Sequence, residues 1–217
     1  MIRALDGLQG LLFDFDGTLA PNLDLPDLRN RVCALTATFG VPGSVFADAY
    51  IVEIIDLAHA WLITEHAPSA TAYRQQAHQL IVDFEVQAAQ QTEPFPGIRA
   101  LLGELRTARF KLGVVTRNCA AAVLEVFPDL LEHVDCLHAR DHTVHLKPDP
   151  RHLQVSLNTL GIRAENAAMI GDGKLDMQAG RGLDMYCIGV LTGSSTAADL
   201  RQAGADQVLH DCLALAL

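Results

Sequence analysis

Long apolar runs are missing from this chain of 217 residues, although 50% of its residues are hydrophobic. No stretch approaches the roughly 20 consecutive apolar residues that a membrane-spanning helix needs. The opening segment, MIRALDGLQG, contains an aspartate and has no apolar core of the signal-peptide kind. The length suits one full-sized core, or a core with a smaller companion domain. We therefore expect a cytoplasmic globular protein without a membrane partner.

Cysteine and lysine are also scarce. The five cysteines are scattered and include no CxxC pair, which favours reduced thiols over a disulfide framework or a zinc ribbon. Only three lysines are present, and the formal net charge is −10. An acidic surface of this kind disfavours binding to nucleic acids and to anionic membranes. We expect no nucleic-acid partner, and a chain that acts as a monomer or a weak homodimer.

Four short apolar runs are present, and polar residues follow them. They are GLLFDFDGTLA (10–20), FKLGVVTRN (110–118), AAMIGDGKLD (167–176) and MYCIGV (185–190). Helical patterns alternate with these runs at about 97–108, 118–126, 150–160, 174–182 and 196–203. Such alternation predicts an α/β fold, a doubly wound Rossmann-like core with a parallel sheet between layers of helices. Ligands bind beyond the carboxyl ends of the strands in such sheets. We therefore expect one crevice to collect Asp14, Asp16, Thr116 and Asp172.

The segment 21–93 does not follow this alternation. It contains about three amphipathic stretches with apolar residues at helical spacing, and Pro94, Pro96 and Gly97 close it. We expect an all-α domain inserted after the first strand. The core would then comprise residues 1–20 and 94–217.

The polar residues at the strand ends suit one kind of chemistry. Carboxylates from two strand ends form a hard-oxygen site of the kind that Mg²⁺ prefers, and the cation would offset their mutual repulsion. The Thr116 hydroxyl, the backbone N–H groups beside it and Lys147 could bind an anion the size of a phosphate. A cation, an anion site and a spare carboxylate together indicate phosphoryl transfer with an aspartate as nucleophile.

Four motifs carry a resemblance to a known family. They are DFDGT (14–18), VVTRN (114–118), KPDP (147–150) and GDGKLD (171–176), in this order. With PFPGI (94–98) and RQAGADQVL (201–209), they make the chain resemble the haloacid dehalogenase superfamily, in its phosphoglycolate-phosphatase-like branch. The resemblance covers the predicted core. It implies a Mg²⁺-dependent phosphatase that acts on a small phosphorylated metabolite.

The resemblance also implies roles for the acids. Asp14 would attack phosphorus and become an aspartyl phosphate. Asp16 would protonate the leaving alkoxide and then take a proton from the hydrolytic water. The Asp14 carboxylate, the Asp16 backbone carbonyl and Asp172 would hold Mg²⁺. Asp176, one helical turn beyond Asp172, would orient a metal-bound water or Lys147 from outside the metal's own ligands.

The phosphoryl group itself would be bound by Thr116 and by the backbone amide of Arg117. Lys147 would balance the charge on the nucleophile and the phosphate. The insert, residues 21–93, matches the position of the family's helical cap of the C1 type, which closes over the site and excludes water. Its sequence matches the family much less well than the core does.

The sequence also bears on other functions found in this superfamily. Asp16 disfavours a dehalogenase, because members of the family with that activity lack the second aspartate. A phosphonate hydrolase would need a lysine in the cap, and residues 21–93 contain none. A sugar phosphomutase uses the same two aspartates and stays open as an alternative. A non-catalytic regulatory or binding module is disfavoured by the intact first motif.

Two further patterns resemble binding sites. GDGKLD begins like a dinucleotide-binding GxGxxG, but Asp176 stands at the third glycine position. The stretch HARDHTVHLKPDPRH has four histidines, at positions 138, 142, 145 and 152, but no cysteine or acid completes a zinc-site spacing. We expect this stretch to be a solvated loop.

Overall fold

The computed structural model describes residues 5–216, and these divide into two compact units. One unit contains the chain up to Asn22 and from Ala89 onward, and the other is Leu23–Ala88. The boundaries expected from the sequence lay after residue 20 and before residue 94. Asn22, at the end of this segment of the larger unit, donates through its side chain to Asp172 Oδ2 at 3.5 Å. Within residues 5–216, no helix combines the length and the apolar character that crossing a bilayer requires.

The larger unit is built on a parallel sheet, which has six strands in the part of the chain that the structure describes. The strands are β1 (Gly10–Phe13), β2 (Lys111–Val115), β3 (Cys136–His138), β4 (Ala167–Gly171), β5 (Tyr186–Val190) and β6 (Gln207–Leu209). Their order in the sheet is β3-β2-β1-β4-β5-β6, and all pairs are parallel. The chain therefore reverses its direction of travel across the sheet at β1, which is a topological switch point.

Helices connect these strands. They are α4 (Ile98–Thr107), α5 (Ala120–Val126), α6 (Leu130–His133), α7 (Arg151–Leu160), α8 (Lys174–Arg181) and α9 (Ala197–Ala203), with short 3₁₀ turns at Arg140–His142, Ala164–Asn166 and Cys212–Leu215. The α/β architecture expected from the alternation is confirmed. The sequence did not predict strands β3 and β6, which have three residues each.

The centre of the sheet is buried. Leu11, Leu12 and Phe13 of β1 are completely buried, which explains their continuous apolar run. Gly113, opposite Leu12 on β2, has a packing reason, because a Cβ there would lie 2.8 Å from the Leu12 side chain and 2.9 Å from Cys136 Sγ. A larger residue at position 113 would require the side chains of Leu12 and Cys136 to shift.

The smaller unit is all-helical in its regular structure. It contains α1 (Leu25–Thr38), a 3₁₀ turn (Gly43–Val45) and α2 (Ile51–Thr64), and α3 (Ala70–Ala89) begins and runs almost entirely within it. Tyr73 is completely buried at its centre, and its ring packs edge-on against Phe39 with the centroids 5.2 Å apart. Thr36 Oγ1 donates to Val32 O at 2.7 Å, so the Tyr73 hydroxyl must donate to Thr36 Oγ1, 2.8 Å away. The unit thus has its own core with its buried hydroxyls paired.

Candidate active site

The carboxyl ends of β1, β2 and β4 bring together residues that are far apart in the sequence. Asp14 follows β1 directly, and its backbone N–H donates to Ile170 O of β4 at 2.8 Å. Thr116 follows β2, and its N–H donates to His138 O of β3 at 3.1 Å. Asp172 follows β4. Because β1 lies between β2 and β4, these three residues share one edge of the sheet.

Three carboxylates cluster at this edge. Oxygen atoms of Asp14, Asp172 and Asp176 lie within 4.8 Å of one another, and all three residues are buried. Burial raises the pKa of Asp172 to about 6, and the nearby charge of Asp176 adds to the increase. Burial likewise raises the pKa of Asp14 well above its usual range, against the opposing effect of the Lys147 ammonium. The cluster is therefore short of positive charge.

Lys147 supplies part of that charge. Its side chain is only 2% exposed, and its Nζ lies 2.6 Å from Asp14 Oδ1 and 2.6 Å from Asp176 Oδ1. The ammonium donates its third hydrogen bond to Val115 O at 2.7 Å. Burial alone would lower the pKa of Lys147, but the attraction of the two carboxylates outweighs it and raises that pKa. Lys147 is thus held as a cation beside Asp14.

Asp176 is engaged through both of its oxygens. Oδ1 pairs with Lys147, and Oδ2 accepts the N–H of Gly173 at 3.0 Å in the first turn of α8. These contacts suit a residue that positions the lysine more than one that offers a ligand to a metal ion. The sequence resemblance implied either Lys147 or a metal-bound water as its partner, and in this structure the partner is Lys147.

The loop that carries Lys147 is held from two sides. The Arg117 guanidinium donates to Lys147 O. His152, in the first turn of α7, accepts the Lys147 N–H on Nδ1 at 3.2 Å, and its Nε2 donates to His138 O at 3.2 Å. The expectation of a solvated histidine-rich loop is wrong for His138, which lies in β3, and for His152, which is completely buried where α7 packs against β3.

Asp16 lies beyond the carboxylate cluster and contacts a residue that the sequence did not single out. Asn118 Nδ2 donates to Asp16 Oδ1 and Oδ2, at 3.1 Å each. The backbone N–H of Asn118 donates to Thr116 Oγ1 at 3.0 Å. A polar residue two positions after Thr116 was the available signal. Only the pairing of β1 with β2 shows that this residue contacts Asp16.

A second feature absent from the sequence reasoning is the loop after β5. Thr192 Oγ1 donates to Gly17 O at 2.6 Å, which ties this loop to the first motif. A Cβ at Gly193 would lie 1.6 Å from Asp172 Oδ2, so only glycine fits there. The Asp172 carboxylate is therefore enclosed by backbone on one side, with Asn22 donating to it from another.

The donor set fits a hard divalent cation. Its potential ligands are carboxylate oxygens, the type that Mg²⁺ prefers, and the cluster carries more negative than positive charge. Burial, and then the charge of Asp176, raise the pKa of Asp172 to about 6. A cation at this position would remove the repulsion that burial intensifies.

Comparison with known proteins agrees with this geometry. The phosphoglycolate phosphatase of Yersinia pseudotuberculosis is 25% identical over 211 residues, covering 93% of this chain and 89% of the relative. That of Caulobacter vibrioides is 29% identical over 217 residues, covering 94% and 87%. A hydrolase from Pseudomonas syringae has the same fold, with a TM-score of 0.70, 20% identity and 95% of each chain covered.

The family model described as haloacid dehalogenase-like hydrolase matches residues 11–190. This range begins in β1 and ends with β5, so it includes the four motifs and the edge of the sheet at which they meet. The chain belongs to the haloacid dehalogenase-like hydrolases.

Proposed function

We propose that this protein is a Mg²⁺-dependent phosphatase that hydrolyses a small phosphomonoester through an aspartyl phosphate on Asp14. The observation that carries the proposal is the Asp14 carboxylate, held 2.6 Å from the Lys147 ammonium beside Asp172 at the open edge of the sheet. The relatives named phosphoglycolate phosphatases, which match nearly the whole chain, support the same reaction class.

In the first step, an oxygen of Asp14 attacks phosphorus and the bond to the leaving oxygen breaks. Asp16 gives its proton to the leaving alkoxide, which departs as an alcohol. In the second step, Asp16 takes a proton from water, the water oxygen attacks the aspartyl phosphate, and Asp14 is released with inorganic phosphate. The same carboxyl thus serves as acid and then as base.

The phosphoryl group would be bound by groups that already lie at the strand ends. The Thr116 oxygen accepts the N–H of Asn118, so its own O–H can be donated to a phosphoryl oxygen. The backbone N–H of Arg117 and the Lys147 ammonium would complete the anion site. The Asp14 carboxylate, the Asp16 backbone carbonyl and Asp172 would hold Mg²⁺, which when bound supplies positive charge opposite the phosphoryl oxygens.

The substrate class is proposed from the family and from the charge of the chain. The names of the relatives favour a phosphoglycolate-like metabolite. A net charge of −10 disfavours highly anionic substrates such as nucleoside triphosphates. We propose that the helical insert serves as the cap of the enzyme, in keeping with its place after the first motif.

The test is a screen of small monophosphates with Mg²⁺ that measures phosphate release. The expected result is release from at least one compact monophosphate, and none from any of them with Asp14→Asn protein. A parallel assay with a hexose 1-phosphate and a catalytic amount of its bisphosphate follows both the isomer and free phosphate. Isomerisation that outruns phosphate release would establish the mutase alternative, and failure to release phosphate from every compound would refute the phosphatase.

A further inference from the structure

The contact between Asn118 and Asp16 lies beside the reacting groups and has a defined geometry. Asn118 is only 4% exposed, and its amide nitrogen is equidistant from the two carboxylate oxygens of Asp16, at 3.1 Å. Asp16 is 102 residues away in sequence. The contact therefore exists only because β1 and β2 are neighbours in the sheet.

Asn118 is itself fastened at several points. Its Oδ1 accepts the N–H of Cys119 at 2.8 Å, at the start of α5. Rotation of the amide by 180° would set its NH₂ group against that N–H, so the hydrogen-bond network assigns the NH₂ group to Asp16. The backbone N–H of Asn118 binds Thr116 Oγ1, and its carbonyl accepts the N–H of Arg140 at 3.0 Å. The donor that faces Asp16 is thus rigidly placed.

We propose that Asn118 is the positioning residue for Asp16, the acid and base of the proposed reaction. This inference rests on the proposed function. An NH₂ group can only donate, and a carboxyl group keeps lone pairs for it in both protonation states. The contact can therefore hold the orientation of Asp16 while the proton is given away and taken back. The same residue binds Thr116 through its backbone, so it also aligns the acid with the anion site.

A structural role for Asn118 uses a different atom and can be separated. The bond from Cys119 N–H to Oδ1 fixes the residue just before α5, whereas Nδ2 donates to Asp16. Asn118→Ser keeps a short side-chain oxygen of the type favoured at helix N-termini but cannot reach Asp16. Asn118→Ala lacks both groups. Loss of this local bond should lower the thermal midpoint of the alanine variant more than that of the serine variant, whereas loss of positioning should be equal in the two.

The kinetic test compares two leaving groups in the wild type and both variants, with Mg²⁺ present. With an alkyl phosphate, whose leaving group needs a proton, kcat should fall by about 10- to 100-fold, within the range of general acid–base catalysis. The KM should change little. With an activated aryl phosphate, the initial burst of the phenol should stay within about twofold of the wild-type rate, because this step needs no acid. The steady rate after the burst should fall, since Asp16 must still activate water.

The second part of the test combines each variant with Asp16→Asn. Once Asp16 has lost its carboxyl group, removal of Asn118 should cause no further loss with the alkyl phosphate. A fall in the rate of the aryl burst as large as the fall in kcat on the alkyl phosphate would mean that Asn118 supports Asp14 or the anion site instead. That result would overturn the inference. Wild-type kcat on the alkyl phosphate in both variants would overturn it as well. If the wild-type enzyme is inactive, both the proposed function and this inference fail. If the wild type is active and the Asn118 variants keep its kcat, only this inference fails, so the two failures are distinguishable.

Discussion

His152 should make the stability of this protein depend on pH between 7 and 5. Burial, and then the charge of Lys147, lower the pKa of His152 from 6.5 to about 3. The geometry explains the direction, because Nδ1 accepts the Lys147 N–H and a proton on Nδ1 would face that donor. The native state therefore favours the neutral imidazole, whereas the unfolded chain binds a proton near pH 6.5. This contribution to stability is fully present above pH 6.5 and is lost as the pH falls towards 3.

The size of the effect follows from the two pKa values. Between pH 7 and pH 5, protonation of the unfolded chain at His152 lowers the free energy of unfolding by about 2 kcal/mol. This figure hardly changes for any native-state pKa below about 4, since the unfolded chain then takes up nearly all of the protons. Urea denaturation at pH 7, 6 and 5 measures it, with His152→Asn as the variant. Asparagine keeps an acceptor for the Lys147 N–H and does not titrate.

The wild type should lose about 2 kcal/mol more than His152→Asn between pH 7 and pH 5. His66→Asn is the matched control, because His66 is exposed and asparagine tolerates its positive φ of 54°, and the loss of stability between pH 7 and pH 5 should equal that of the wild type. The absolute stability of His152→Asn at pH 7 does not enter the comparison, so any packing cost cancels. A difference below about 0.5 kcal/mol would show that the buried imidazole is not held neutral by its hydrogen bonds.

Two further predictions concern the reacting groups. Asp14→Asn should retain less than about 1% of kcat, a loss of about 3 kcal/mol or more in transition-state stabilisation, with a thermal unfolding midpoint close to the wild type. Residual turnover well above that level, in a protein free of wild-type contamination, would exclude Asp14 as the nucleophile. Mg²⁺ at a hundred times its Kd should stabilise the wild type by about 2.7 kcal/mol, or roughly 5–10 °C in Tm. Asp172→Ala should lose most of this shift at the same concentration, and an unchanged shift would remove Asp172 from the metal site.

The main strands could be predicted because each is a compact apolar run that ends in polar residues. The runs at β1, β2, β4 and β5 have at least four residues, long enough for a pattern to show. Strands β3 and β6 have three residues each, and part of their surface is exposed. Their strand character comes from pairing with β2 and β5, which a local pattern does not contain.

The residues of the site also divide into those that a local sequence pattern reveals and those that depend on tertiary packing. The convergence of Asp14, Thr116 and Asp172 could be predicted, since parallel strands present their carboxyl ends at one edge. The parts played by Asn118 and His152 could not. Asn118 resembles an ordinary polar residue before a helix, and its contact with Asp16 depends on strand order. His152 stands in a strongly polar stretch, and its burial depends on how α7 packs against β3.

The charges at the edge of the sheet support the proposal that a cation and a phosphoryl group bind at the same site. Asp14, Asp172 and Asp176, when ionised, carry three negative charges against the ammonium of Lys147, all within a buried cluster. A phosphomonoester would add further negative charge at the same place, at a distance where Coulomb repulsion in a protein interior amounts to several kcal/mol. Two positive charges on a divalent ion would balance the excess of the cluster before the substrate enters. In the proposed enzyme, the cation would therefore complete the site, and Lys147 would neutralise the charge that remains on the Asp14 nucleophile.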